Sequence, residues 1–280
     1  MLSLLLPRGS VLAFIAAQPQ DLESLRLQNE QGELERSVGH HFRISTQFAA
    51  RPEDLVTTLA NHKPHVLHFA GHGAGADGLA MENRHGKMTL LHTKTLEKVL
   101  AEKSLSSNLR LVVLNACWSS EQARVIAEQV PAVISMRSSI LDATAMKFTS
   151  HFYAKLAEGK TISDAFHQTL LILDIKKTPD RHVPELQENA RLIALLVTLN
   201  LPAWNRYFTE NFSIEDLQTF TAVHFEEFHR LEWKPNASLS QQTIHFLDYI
   251  RKRKKVGELR EALRQTRGAE FTDLEHTLCS

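Results

Sequence analysis

The chain has 280 residues, 43% hydrophobic and 23% charged, with 9 prolines and 11 glycines. This composition excludes collagen-like, low-complexity and largely disordered chains and leaves one large domain, or one with a small appendage. Lys plus Arg total 32 and Asp plus Glu total 32, so no overall basic excess points to nucleic acid or an anionic membrane.

Two cysteines, Cys117 and Cys279, are too few for a disulfide framework and predict a reducing, cytoplasmic setting. Residues 1–6 are apolar but lack a basic leader, and Pro7, Arg8 and Gly9 interrupt them before the next short apolar run. Neither signal peptide nor membrane anchor is predicted.

In chain order, apolar runs at 11–16, 42–46, 66–70, 111–114 and 132–136 read as strands. Their continuous rather than alternating hydrophobicity predicts an α/β fold with a mostly parallel sheet covered by helices on both faces. Helical segments fall at about 21–38, 53–62 with Pro52 at its start, 94–104, 119–129, 141–158 and 161–175. The run 192–199 is a last strand or a buried helix, and periodicity alone does not choose. Beyond about residue 211, segments 213–230, 238–255 and 256–266 read as three amphipathic helices, with Leu217, Phe220, Phe225 and Phe228, then Ile244, Leu247 and Ile250, then Leu259 and Leu263 at helical spacing. The expected organisation is an α/β domain over 1–208 and a small all-α bundle over 209–280.

Two strand ends carry reactive side chains. HVLHFAGHG (65–73) puts His72 just beyond a strand between two glycines, where backbone can approach a ligand closely. LVVLNACWSS (111–120) puts Cys117 between a strand and a helix. Ser119 and Gln122 have capping-box spacing, which would start that helix at Ser119 and favour a thiolate at Cys117. Taken alone, a cysteine there is more often an inert small hydrophobe, and Gly-His-Gly a tight turn. Ligands gather at the carboxyl ends of strands in an open parallel sheet, however, and both residues sit there, with the histidine upstream as in caspase-type sites. His68 and His72 form H-x-x-x-H, but zinc proteases need that spacing on a helix with an internal Glu, so no metal and no cofactor is expected.

VLHFAGHG (66–73), LVVLNACWS (111–119), VISMRSSILDATAMKF (133–148) and FYAKLAEGKTISDAF (152–166) together resemble the CHAT family, caspase-like cysteine proteases of clan CD related to separases. The resemblance covers about residues 10–200. It implies a cysteine endopeptidase with His72 as general base, Cys117 as nucleophile, and the backbone N–H groups of Gly73 and Cys117 as oxyanion hole. Asn115 stands where caspases proper have Gln, and Ser119 where they have Gly, so an aspartate preference does not carry over. Asn115 and Asp142 are the substrate-pocket candidates: Asn115 lacks the acid that metacaspase-like relatives use for a basic side chain, whereas Asp142 matches a separase block that bears one. Asp142 reads equally well as a helix N-cap.

The C-terminal segment, with FSIEDL (212–217) and TIHFLDYIRKRKKVGELREAL (243–263), resembles bacterial effector-associated or death-like adaptor domains. That resemblance implies recruitment by a similar domain on a partner, or self-association. The basic run 251–255 ends an amphipathic helix, where cations suit the dipole, and predicts no nucleic-acid site. The expected partners are thus a protein substrate and a death-like domain, with neither nucleic acid nor membrane. Family context implies limited cleavage of a protein effector, in the manner of a gasdermin-like pore former, in antiphage defence or programmed death. The competing reading is a catalytically silent scaffold, which an intact His72 and Cys117 pair argues against.

Overall fold

The structure is a computed structural model and describes residues 4–6, 8–39, 41–197, 201–253 and 255–278. Residues 1–3, Pro7, 198 and 199, Lys254 and Cys279, which entered the readings above, lie outside the described residues.

The first part of the chain runs β1 (Ser10–Ala16), α1 (Leu27–Val38), β2 (Phe42–Gln47), α2 (Pro52–His62), β3 (Val66–Ala70), β4 (Gly78–Glu82), β5 (Met88–His92), α3 (Thr93–Ala101), α4 (Lys103–Ser106), β6 (Leu111–Asn115), α5 (Ser120–Ile126), β7 (Ala132–Met136), α6 (Asp142–Ala157), α7 (Ile162–Ile175), β8 (Pro184–Glu188) and α8 (Ala190–Val197). Six strands form one sheet in the order β2-β1-β3-β6-β7-β8, parallel throughout except for β8. The α/β expectation holds, and the run 192–199 resolves to helix through Val197.

Strand side chains alternate between two helical layers. Leu67, Phe69, Val112 and Leu114 pack with Leu55 and Leu59 of α2, Leu96 and Leu100 of α3, and Ile126 of α5. Their neighbours His68 and Asn115 point the other way, to partners on α1 and α6. Those two helices pack together, and α7 packs on α6.

Three features depart from the sequence reading. The segment expected to be helical from 21 becomes helix only at Leu27, and residues 18–26 form a braced loop instead. Strands β4 and β5 form an antiparallel hairpin after His72. Strand β8 pairs antiparallel with β7 at the sheet edge.

The remaining elements are α9 (Leu201–Asn211), α10 (Ile214–His224), α11 (Glu226–Glu232), α12 (Leu239–Lys252) and α13 (Val256–Leu278). The segment expected to be one helix over 213–230 is broken at Phe225, and α13 continues past 266 across a non-helical Gly268. Trp204, Tyr207 and Phe208 of α9 are buried in ring contact with Phe212, Phe220, Phe246 and Phe271. This aromatic helix therefore belongs to the bundle's core. The two compact units part between Ile193 and Ala194, earlier than the 208/209 boundary expected from composition.

Burial couples the stability of the first unit to pH. His41 is held below the ordinary 6.5 by burial, with its bond to the Leu6 carbonyl opposing and the Arg8 charge adding. His151 is lowered by burial and then by Lys176, Lys155 and Lys147. Below 6.5 the unfolded chain takes up protons that the native state still refuses, so stability rises with pH through this range. This contribution is complete above 6.5 and is lost as pH falls through the lowered native values. The melting temperature should fall on acidification from about pH 7 to about pH 5, and less steeply in His41→Gln; an unchanged slope in that variant would remove His41 from the account.

Candidate active site

Parallel pairing of β3 with β6 sets Ala70 opposite Asn115, and the Gly71 N–H still reaches the Asn115 carbonyl at 3.3 Å. His72 and Cys117 each lie two residues past that pair, so the register delivers both to one edge of the sheet. Both line a cleft of about 450 Å³ with Leu27, Glu30, Asn115 and Asp142. Both are partly exposed, as reacting groups must be.

The imidazole of His72 is oriented by the loop before α1. Its Nε2 lies 2.7 Å from the Glu23 carbonyl, which can only accept, so Nε2 carries the proton and Nδ1 is left with its lone pair. Gln18 braces the loop: its Nε2 donates to the same carbonyl at 2.9 Å, its Oε1 accepts from Leu25 N at 2.7 Å, and its own N–H is held by Glu82 Oε1 at 3.0 Å. Among the described residues Nδ1 has no hydrogen-bond partner.

Cys117 leaves β6 at a sharp turn. Trp118, the next residue, has φ 57°, a left-handed conformation unusual for a bulky side chain, and is exposed. Gly73 packs so closely on this turn that a Cβ built on it would lie 1.9 Å from the Cys117 carbonyl oxygen. The backbone N–H groups of Gly73 and Cys117 have no acceptor among the described residues. Two donors are thus unclaimed where the Gly73 loop meets the Cys117 turn.

The expected capping box does not form. Ser119 precedes α5 but makes no cap bond; its buried hydroxyl donates to the Leu114 carbonyl at 3.2 Å and accepts from Met136 N at 3.0 Å, tying the turn to β6 and β7. Gln122 donates to the Gly75 carbonyl at 2.6 Å and to Thr93 Oγ1 at 2.8 Å. Both side chains hold the loops around Cys117 instead of capping the helix, which is only seven residues long.

Behind the cleft lies a polar cluster that the sequence reading missed. Glu30 of α1 is buried, and its Oε1 accepts from His68 Nε2 at 2.9 Å, from Thr149 Oγ1 at 3.1 Å and from the Asn115 amide in a short bond. His68 Nδ1 meets the Tyr153 hydroxyl at 3.0 Å. Burial, then the nearby Glu30 charge, raises the Tyr153 pKa well above its ordinary value, so the phenol keeps its proton. His68 Nε2–H donates to Glu30, so one imidazole links the tyrosine of α6 to the acid of α1. The H-x-x-x-H spacing is therefore split: His68 is locked inside the layer and only His72 reaches the cleft.

Asn115 lines the cleft while its amide holds Glu30, so the position that lacks an acid recruits one from another element. Asp142 also lines the cleft. The N-cap of α6 is Leu141, without a side-chain cap bond, and Asp142 is the first helical residue, which overturns the cap reading.

Comparison with known proteins adds a family. A model of the CHAT domain matches residues 7–184. A probable protease of Gillisia limnaea is 22% identical over 153 residues, 53% of this chain and 27% of that protein. A Roc-COR-CHAT protease of an unknown prokaryotic organism is 21% identical over 131 residues, 45% of this chain and 12% of that protein. The chain thus spans only a minor part of the length of these relatives. Among solved structures, the Arg-specific cysteine proteinase gingipain R (RGPB) overlays with a TM-score of 0.47 at 13% identity, covering 65% of this chain and 49% of that one.

Proposed function

Because the chain belongs to the CHAT-domain family, we propose that its α/β unit is a caspase-like cysteine endopeptidase with Cys117 as nucleophile and His72 as general base. The observation that supports this reading is the cleft that Cys117 shares with a histidine whose Nε2–H is engaged by the Glu23 carbonyl, which leaves Nδ1 without a partner among the described residues. Nδ1 takes the thiol proton as sulfur attacks the scissile carbonyl carbon. The oxyanion of the tetrahedral intermediate is received by the unclaimed N–H groups of Gly73 and Cys117. Collapse breaks the C–N bond, Nδ1–H protonates the departing amine, and a water deprotonated by Nδ1 then hydrolyses the thioester. Throughout, the Glu23 carbonyl holds Nε2–H and steadies the imidazolium.

The helical unit contributes neither nucleophile nor base to this scheme. We assign it to recruitment, by a death-like partner domain or by a second copy of itself. The proposed substrate is a cytoplasmic protein effector released by limited cleavage, a gasdermin-like pore former in antiphage defence or programmed death being the form implied by the family resemblance.

An irreversible thiol-directed peptide probe tests the chemistry. Labelling is expected at Cys117, at least about tenfold slower in His72→Ala, and retained in a chain ending at Val197. Labelling that ignores His72 would exclude the dyad, and its loss on truncation would place the helical unit within the active site.

A further inference from the structure

The buried carboxylate of Glu30 has a feature that its structural role leaves unused. All three hydrogen bonds that it receives fall on Oε1. Its Oε2 accepts none among the described residues, yet is not among the polar atoms sealed from solvent without a partner. The residue is only 5% exposed, and it lines the cleft that holds Cys117 and His72. One carboxylate oxygen is thus anchored inside the protein and the other is open to the cleft.

Charge makes this arrangement unusual. Inside the protein the basic group in contact with Glu30 is His68, whose Nε2 lies 2.9 Å from Oε1 and leaves Oε2 untouched. No Lys or Arg of the described residues forms an ion pair with Glu30, and Arg26, the one basic residue lining the cleft apart from His72, is exposed and unpaired. The half-buried Asp142 adds a second acid to the same walls. A buried carboxylate with no Lys or Arg beside it is costly to keep ionised, and a cation arriving at its open oxygen relieves that cost. Leu27, Ile140, Ala145 and Met146 also line the cleft, an apolar surface suited to the methylene stem of a long basic side chain.

We infer that Glu30 is the specificity-determining residue of the cleft and selects substrates with Arg or Lys immediately before the scissile bond. Its position follows from Asn115, which binds it and lies two residues before Cys117, so acid and thiol share one cleft. Thr149, His68 and Tyr153 act behind it as positioning residues that fix the carboxylate. This inference rests on the protease reading given above.

The test uses the full chain and two peptidyl chloromethyl ketones that differ only in Arg or Leu at the position before the reactive carbon. Wild-type Cys117 should be alkylated at least about tenfold faster by the Arg probe, and Glu30→Gln should lower the Arg-to-Leu ratio by roughly 100-fold. Glutamine keeps an Oε1 acceptor for the three donors, and the melting temperature reports whether the fold survives. The wild-type ratio stands on its own if it does not. Equal or faster labelling by the Leu probe, or a ratio unchanged in Glu30→Gln, overturns the inference and leaves the protease intact. His72-independent labelling by both probes overturns the protease reading and this inference with it.

Discussion

Cys117→Ala and His72→Ala are each expected to lower kcat/KM for peptide cleavage by about four orders of magnitude or more, and the double variant by no more than either alone. Nucleophile and base act as one unit: without the sulfur, Nδ1 has nothing to deprotonate, and without Nδ1 the thiol loses its proton acceptor. Neither change should unfold the chain, because both side chains are partly exposed beyond the ends of their strands and sit outside the packed layers. A stability change within about 1 kcal/mol fits such sites. Steady-state hydrolysis alongside thermal melting separates the two effects. Additive losses would show that the residues act independently. A wild-type chain with no turnover on any peptide would favour the silent scaffold.

The parts of the molecule legible in the sequence are those where local chemistry and global role coincide. Strands β1, β3, β6 and β7 are buried on both faces, so each is a continuous apolar run, and the ends of β3 and β6 delivered His72 and Cys117 to one edge. By contrast β8, PELQE, starts with proline, carries two acids and lies at the sheet edge, and nothing in its composition announces a strand. The β4–β5 hairpin hides among Gly75, Gly78 and Gly86, where the residues read as loop. Boundaries failed where an aromatic helix had to be assigned to one core or the other: α9 looks like the end of the first domain until its rings are seen among Phe220, Phe246 and Phe271.

Glu30 was illegible for a different reason. An acid in a surface-like helix, LQNEQGELERSV, has the appearance of a solvated face, and its partners lie 38, 85 and 119 residues away. Only the packing of α1 against α6 over the sheet brings them together. Ser119 and Gln122 show the converse, a short-range motif with the right spacing whose side chains are drawn off by longer-range partners. Asn115 combines both lessons, because the sequence marked the position and the structure supplies its missing charge from elsewhere.

Gly73→Ala is expected to lower cleavage by at least about 100-fold, although the added methyl group touches neither His72 nor the sulfur. The reason is steric. Gly73 is not among the positive-φ residues, so alanine suits its backbone, but the new Cβ would lie 1.9 Å from the Cys117 carbonyl oxygen and 3.0 Å from its carbon. Real Cβ contacts do not come that close, and the obstacle is backbone that cannot swing aside. The His72 loop and the nucleophile's turn must therefore separate, which moves Nδ1 away from Sγ and spreads the two N–H donors meant for the oxyanion. Gly75→Ala is the matched control: it has φ 55° and nothing within 4 Å of a built Cβ, so it carries backbone strain of about 1–2 kcal/mol without a collision. That variant should melt lower yet cleave within about tenfold of wild type. Full activity in Gly73→Ala would mean that the two loops do not meet as described, and the oxyanion assignment to Gly73 would fall with the contact.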